Sequence, residues 1–382
     1  MYKIMTPGPT QVSSNVLSAR SIPCTNPDLD VTFVEYYKET CDKYSRLLHT
    51  ECESLILSGE GILGLEAACA TLTEPGDKVL VIDNGIYGAG FADFVTMYGG
   101  IPTVYTCDYL NEINVEDLSK YLENNHDFKY ATVVHCDTPS GMRNDIKRIC
   151  PLLKSYGILT LVDSVSAMFG EELNFDEYKI DILCGGSQKV ISAPPGLTLV
   201  TISEDAKAAF HSRKTKVQGF YLNLTIFDTY YEDKWFPYTM PISDIYGLRQ
   251  ALDNIEAEPD IVNRHKKIAE ATRHALTAAG LQLHLNSGYC NTVTVFDVPA
   301  INTTADSATT CEAILEGMKA EGIMLAGSFG DLTGKVIRIG HMGVNANIPD
   351  MSETLSALDK VLRSLGLELK VNLASEFEEF MK

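Results

Sequence analysis

Two residues carry the clearest chemistry in this chain. Lys189 sits in DILCGGSQKVISAPPG, and Asp163 closes the apolar run ILTLV 26 positions earlier. Each ends a predicted strand and faces a turn of small residues, which is where open α/β sheets place their ligands. A lysine cushioned by Gly185, Gly186 and Ser187 is free to form a Schiff base. An aspartate nearby can hold a pyridinium nitrogen protonated. Those two demands together describe a pyridoxal phosphate site.

A glycine motif supplies the second clue. SGEGILG contains Gly59, Gly61 and Gly64, follows a strand and opens a helix. Asp83 closes the next strand, as the dinucleotide-binding template requires. The underlying physics is general: glycines let amides approach a phosphate, and the helix N-terminus adds partial positive charge. The motif speaks for a phosphorylated group more than for NAD, and an NAD-dependent oxidoreductase stays open as an alternative. GDLTGKV, by contrast, has one residue too few for a P-loop and carries Val336 where Ser or Thr is needed. A turn before a strand explains it.

Composition narrows the partners. The chain has 382 residues, 51 acids against 31 bases and a formal charge of −20. That argues against nucleic acid and against an anionic membrane surface. An anionic ligand must be gathered by a local positive site. Ten cysteines are scattered without a C-x-x-C, and the histidines form no H-x-x-x-H, so no metal site is expected. Free thiols and a start lacking an export core predict a cytoplasmic protein. There is no apolar run long enough to span a membrane.

The elements that must position Lys189 and Asp163 read as alternating strands and helices. Apolar runs fall at 54–57, 78–82, 131–135, 158–162, 181–184 and 197–202, with helical stretches such as 30–49, 61–72 and 144–156 among them. That alternation predicts an α/β fold with a mostly parallel sheet covered on both faces. A long amphipathic helix begins near Ser243, and a second follows Pro259. The last third, with TVTVFDV, a helix near 307–321 and KVIRIGHM, reads as a smaller α+β unit. Residues 1–14 read as irregular.

Taken in order, PGPTQV, SGEGILGLEAA, EPGDKVLVIDNGIYG, HCDTPSGM, LVDSVSA, GGSQKVISAPPG, YTMPISDIYGLRQAL and GKVIRIGHMG are similar to the class V aminotransferases. The resemblance covers nearly the whole chain. It is nearest to the alanine–glyoxylate and serine–pyruvate aminotransferases, with the 2-aminoethylphosphonate–pyruvate transaminases as close relatives. It implies a fold-type I transferase with a mostly parallel seven-stranded sheet between helices. The implied division is a large cofactor-binding domain over 15–255 and a small one over 256–382 together with 1–14. It also implies a homodimer with shared active sites, an amino donor such as alanine or serine, and glyoxylate or pyruvate as acceptor.

The resemblance assigns roles. Lys189 carries pyridoxal phosphate and moves the proton, and Asp163 pairs with the ring nitrogen. Tyr87 stacks on the ring, and Thr138 reaches its 3′ oxygen. Gln188 and the amides around Glu60, Gly61 and Ile62 receive the phosphate, joined by Thr239 from the neighbouring subunit. Arg338 binds the substrate carboxylate through its planar fork.

Some positions depart from the family pattern. Glu60 stands where a hydroxyl residue is usual, so it must turn away from a phosphate or meet a cation. Ile62 replaces a histidine, Phe236 replaces a tyrosine with Tyr238 as a substitute, and Asp137 replaces a glutamate. IPCTNPD lacks the His-Arg pattern of the aminoethylphosphonate enzymes, which favours an α-amino acid donor. A lyase of the cysteine desulfurase kind needs a loop cysteine that is not evident, although His135 could be offered for stacking.

Overall fold

The apolar runs form strands because both faces of most of them are covered. The computed structural model describes residues 2–300 and 306–382. Seven strands build the central sheet: β1 (Glu53–Ser58), β2 (Lys78–Asp83), β3 (Ile101–Thr106), β4 (Tyr130–Val134), β5 (Leu159–Asp163), β6 (Ile182–Gly186) and β7 (Leu197–Ile202). Their order is β1-β7-β6-β5-β4-β2-β3. β7 runs antiparallel to both neighbours, and the other pairings are parallel. Every residue of β4, β6 and β7 is buried, as strands between two helical layers must be.

β3 is the strand that no apolar run announces. IPTVYT carries Pro102, mixes exposed with half-buried positions and lies at the sheet's edge. An edge strand can dispense with continuous apolar content and tolerates proline.

Helices α1 (Val31–Leu47), α2 (Gly61–Leu72) and α3 (Ile86–Met97) pack on the sheet, the last two as crossovers from β1 and β2. Tyr37 on α1 shields the opposite edge. Its hydroxyl donates to the Ile56 carbonyl at 3.0 Å and accepts from the Ile56 amide at 2.9 Å. The amphipathic segment after Pro241 divides into α4 (Ile242–Glu256) and α5 (Ile261–Ala279), with Pro259 in the break. No helix among the described residues is long and apolar enough to cross a membrane.

Two apolar cores result. One lies between the sheet and its helices. The other gathers the later turns of α5 with α6 (Ser307–Ala320), α7 (Ile348–Ser364) and α8 (Leu373–Phe380) around an antiparallel pair, β8 (Val293–Asp297) and β9 (Val336–Gly340). GDLTGKV forms a short 3-10 turn over Gly330–Leu332 that leads into β9, as the sequence predicts.

The N-terminal segment is more ordered than its prolines and glycines suggest. Lys3–Ile4 pair in parallel with Ile323–Met324, and Met5 is buried in the second core. The Gly340 amide donates to the Met5 carbonyl at 2.7 Å. The segment then crosses to the Lys189 loop, where the Thr10 amide donates to the Gln188 carbonyl at 3.0 Å and its hydroxyl to the Lys189 carbonyl at 3.1 Å. It straps the second core to the lysine.

Gly340 sets how closely the strap can lie, since a Cβ there would overlap the backbone of Thr6. Gly340→Ala should therefore cost about 1–3 kcal/mol, the usual range for overpacking. A lowered urea midpoint with unchanged slope is the expected result. An unchanged midpoint would mean that the strap yields freely.

Candidate active site

Two cavities meet at Lys189 and Tyr87. One, of about 100 Å³, is lined by Glu60, Ile62, Asp163 and Gln188 as well as those two residues. The other, of about 380 Å³, adds Pro7, Thr138, Phe329 and Arg338 to them. Residues spread over most of the chain thus converge where β5 and β6 end.

Lys189 lies in the hairpin loop between β6 and β7. The loop is fixed by backbone and side-chain bonds: the Ser187 hydroxyl donates to the Pro194 carbonyl at 2.7 Å, and the Ser192 amide to the Lys189 carbonyl at 2.9 Å. The Lys189 ammonium donates to the Pro7 carbonyl at 2.6 Å. That bond goes to a neutral acceptor, and among the described residues no carboxylate pairs with the lysine directly. Burial, helped by the Arg338 guanidinium, pushes its pKa down from 10.5 to about 8. A lysine poised there can act as nucleophile and as base near neutral pH.

Asp163 ends β5 and is buried. Its Oδ1 accepts from the Val165 amide at 3.0 Å. Burial lifts its pKa to about 6 against the opposing pull of that amide and of Lys189. A cationic ring nitrogen beside it would favour the charged carboxylate again.

Tyr87 opens α3. Its amide donates to Asp137 Oδ1 at 3.1 Å, and its ring meets Phe329 edge-on at 5.9 Å. It forms one wall of both cavities. Thr138 lines only the larger one, beside Arg338.

Arg338 follows from strand alternation. Ile337 and Ile339 on β9 point into the second core, so Arg338 points the other way. Its Nε donates to the Gly327 carbonyl at 2.6 Å and its Nη1 to the Thr138 carbonyl at 3.3 Å. Among the described residues no carboxylate pairs with it. A buried guanidinium braced only by carbonyls is a ready receptor for a carboxylate.

Glu60 resolves the tension its sequence position raises, by capping α2. Its Oε1 accepts from the Ile62 amide at 3.0 Å. Its Oε2 accepts from Gln188 Nε2 at 3.2 Å, which leaves Gln188 Oε1 buried with no partner. A carboxylate cap at a helix N-terminus stabilises by about 1 kcal/mol.

Lys189, Asp163 and Tyr87 suit a pyridoxal ring. The phosphate end does not fit. The helix N-terminus that would receive a phosphate already holds the Glu60 carboxylate, and among the described residues Lys189 is the only cation lining that cavity. Two like unit charges 4 Å apart repel by about 4 kcal/mol at an effective dielectric of about 20.

Other expected residues lie apart. Thr239 is exposed and lines neither cavity. Phe236 is buried in an aromatic cluster, stacked on Tyr230 at 5.6 Å. The Tyr238 hydroxyl is buried without a partner, and its ring stacks on Tyr221 at 4.5 Å. His135 is buried against the Ser164 hydroxyl at 3.1 Å and reaches neither cavity, so it does not stack in the site. Asp83 accepts from the Tyr109 hydroxyl at 2.6 Å, a structural use that leaves the dinucleotide template without its ribose ligand. Pro7 and Phe329 went unrecognised in the sequence. Only the proline-rich PGP start hinted at the first, and nothing distinguished the second.

Comparison with known proteins places the chain among aminotransferases. The family profile described as Aminotransferase class-V matches residues 13–324. The pyridoxamine–pyruvate transaminase of Mesorhizobium japonicum is 31% identical over 91% of this chain and 88% of its own. The alanine–glyoxylate aminotransferase of Callithrix jacchus is 33% identical over 81% of this chain and 75% of its own. The crystal structure of ureidoglycine–glyoxylate aminotransferase from Bacillus subtilis superposes with a TM-score of 0.93 at 26% identity, covering 100% of this chain and 98% of that one.

The depressed lysine makes a direct prediction. The rate at which a small aldehyde and borohydride modify Lys189 should climb with pH and level off above about 8, well short of the ordinary 10.5. Arg338→Met removes a like charge and should move that midpoint upward. A midpoint near 10.5 in the unaltered protein would show that the ammonium is not destabilised.

Proposed function

The chain belongs to the class V aminotransferase family, and on that footing we propose that it transfers an amino group to glyoxylate or pyruvate at Lys189. The observation that carries this reading is one lysine with a depressed pKa that borders both cavities, Asp163 on one side and Arg338 on the other. Relatives named for alanine and glyoxylate or for pyruvate support both acceptors. Alanine or serine are the α-amino acid donors or products that fit beside them.

Each residue then has a chemical task. A bound pyridoxal ring supplies an aldehyde and a sink for electrons. Lys189 Nζ would hold that aldehyde and, once freed, would move a proton at the donor carbon. Asp163 would keep the ring nitrogen positive, and Tyr87 would orient the ring face. Arg338 takes the carboxylate of donor and acceptor in turn, because both occupy the same place in a ping-pong cycle. The carboxylate fork argues against 2-aminoethylphosphonate, whose amine carbon bears no carboxylate.

Arg338→Ala should weaken amino acid and oxo acid together, raising both KM values or lowering kcat/KM by roughly 10²-fold or more, about 3 kcal/mol. Arg338→Lys should recover little, since an ammonium lacks the fork. A variant that handles alanine and glyoxylate as well as the parent would place the carboxylate clamp elsewhere.

The same reading includes a homodimer with shared sites. Thr239 is exposed, and near it in sequence Phe220, Tyr221 and Trp235 leave large apolar area on the surface. Exposed aromatic side chains of this kind would suit a contact surface. Mixing Lys189→Ala chains with a Thr239 variant of low activity should restore some activity once subunits exchange. Demonstrated exchange without rescue would argue against sharing.

A further inference from the structure

We propose that this site takes the vitamin B6 ring without its 5′-phosphate, as a dissociable partner in the reaction, with pyridoxamine as amino donor. The proposal rests on the transamination reading above and sharpens its substrate. The seat that should hold a phosphate is built from acceptors. Glu60 presents a carboxylate whose two oxygens already take the Ile62 amide and Gln188 Nε2. Gln188 is 7% exposed, lines the same cavity, and its Oε1 is buried with no donor.

A phosphate dianion offers only lone pairs and charge of the same sign as Glu60. A 5′-hydroxymethyl group offers one O–H donor and no charge, which suits Gln188 Oε1 or the Glu60 carboxylate. Asp163, Glu60 and the lysine are the titratable groups lining this cavity besides Tyr87, so among the described residues no cation beyond Lys189 lines it to offset a phosphate. At the cavity edge the Ile62 side chain is apolar and 40% exposed, so it adds no donor.

The transfer balances without an outside oxidant. The nitrogen of pyridoxamine leaves C4′ and joins C2 of pyruvate or glyoxylate. One proton leaves C4′ through Lys189 and one is delivered to C2, so two electrons pass from the amine to the oxo acid. Water released in the first condensation is matched by water consumed in the last, and the carbonyl oxygen appears on C4′. Pyridoxal and alanine, or pyridoxal and glycine, are the products.

The test uses four probes on the intact protein: pyridoxal, pyridoxal 5′-phosphate, pyridoxamine and pyridoxamine 5′-phosphate. Binding of the two aldehydes is read by their absorbance change on capture by Lys189. Turnover of the two amines is read with pyruvate and glyoxylate. The expected result is pyridoxal bound at least tenfold more tightly than its phosphate ester. Pyridoxamine should exceed its ester in kcat/KM by a hundredfold or more. Glu60→Ser keeps a helix-capping oxygen and removes the charge, so it should swing both preferences toward the esters. If Glu60→Ser does not fold, Glu60→Gln reads the charge alone, and the unaltered protein already decides the matter. Equal or tighter binding of pyridoxal 5′-phosphate, with turnover of alanine and glyoxylate, overturns this inference and leaves the transaminase reading intact. Failure of every vitamer to support amine transfer overturns both.

Discussion

The register between β5 and β6 is the constraint on which the site depends. Asp163 lies opposite Cys184, two residues from the end of β6. The sheet therefore delivers the aspartate and the lysine loop to the same edge at the same height. A slip of one residue would turn Asp163 to the other face and bury its carboxylate in the helical layer. Full burial of β6 and β7 makes such a slip prohibitive. The antiparallel turn into β7 then keeps Lys189 close to the strand end, where a longer crossover would have carried it away.

A second constraint acts from outside the sheet. The N-terminal strap is anchored by Lys3–Ile4 and Met5 in the second core, yet it is Pro7 that receives the Lys189 ammonium. Gly8, at φ 103°, lets the strap turn directly over that side chain, and a Cβ there would overlap it. Arg338 reaches the same cavity from β9 of the second core. Lysine and arginine are thus held near each other by two separate cores, and their mutual repulsion, added to burial, lowers the lysine's pKa. The electrostatic tuning is a consequence of how the two cores are clamped together.

Much of this was legible because local patterns and chemistry coincide. Six strands and the helices around the site follow from apolar runs, turn residues and a break at Pro259. The Lys189–Asp163 pair follows from strand ends and small residues. β3 escaped because an edge strand owes little to apolar pattern. The strap escaped because Lys3–Ile4 pairs with residues more than 300 positions away, a relation that no window of sequence contains. Phe329 escaped for the same reason: its closeness to Tyr87 and Arg338 is purely tertiary. Thr239 was read from resemblance, and a single chain leaves it outside its own cavities.

Glu60 shows one piece of physics serving two ends. Four free amides at a helix N-terminus attract negative charge, whether it comes from a ligand or from the chain. Here the chain supplies it, so the helix is capped without a ligand and the seat changes sign. The site is consequently polarised along its length. Arg338 makes one end positive and Glu60 makes the other negative, with Lys189 between them. Under the proposed transfer such a field would orient the ligand pair, carboxylate toward Arg338 and hydrogen-bond donors toward Glu60 and Gln188. On a chain of net charge −20, Lys189 and Arg338 place two cations on the wall of one cavity.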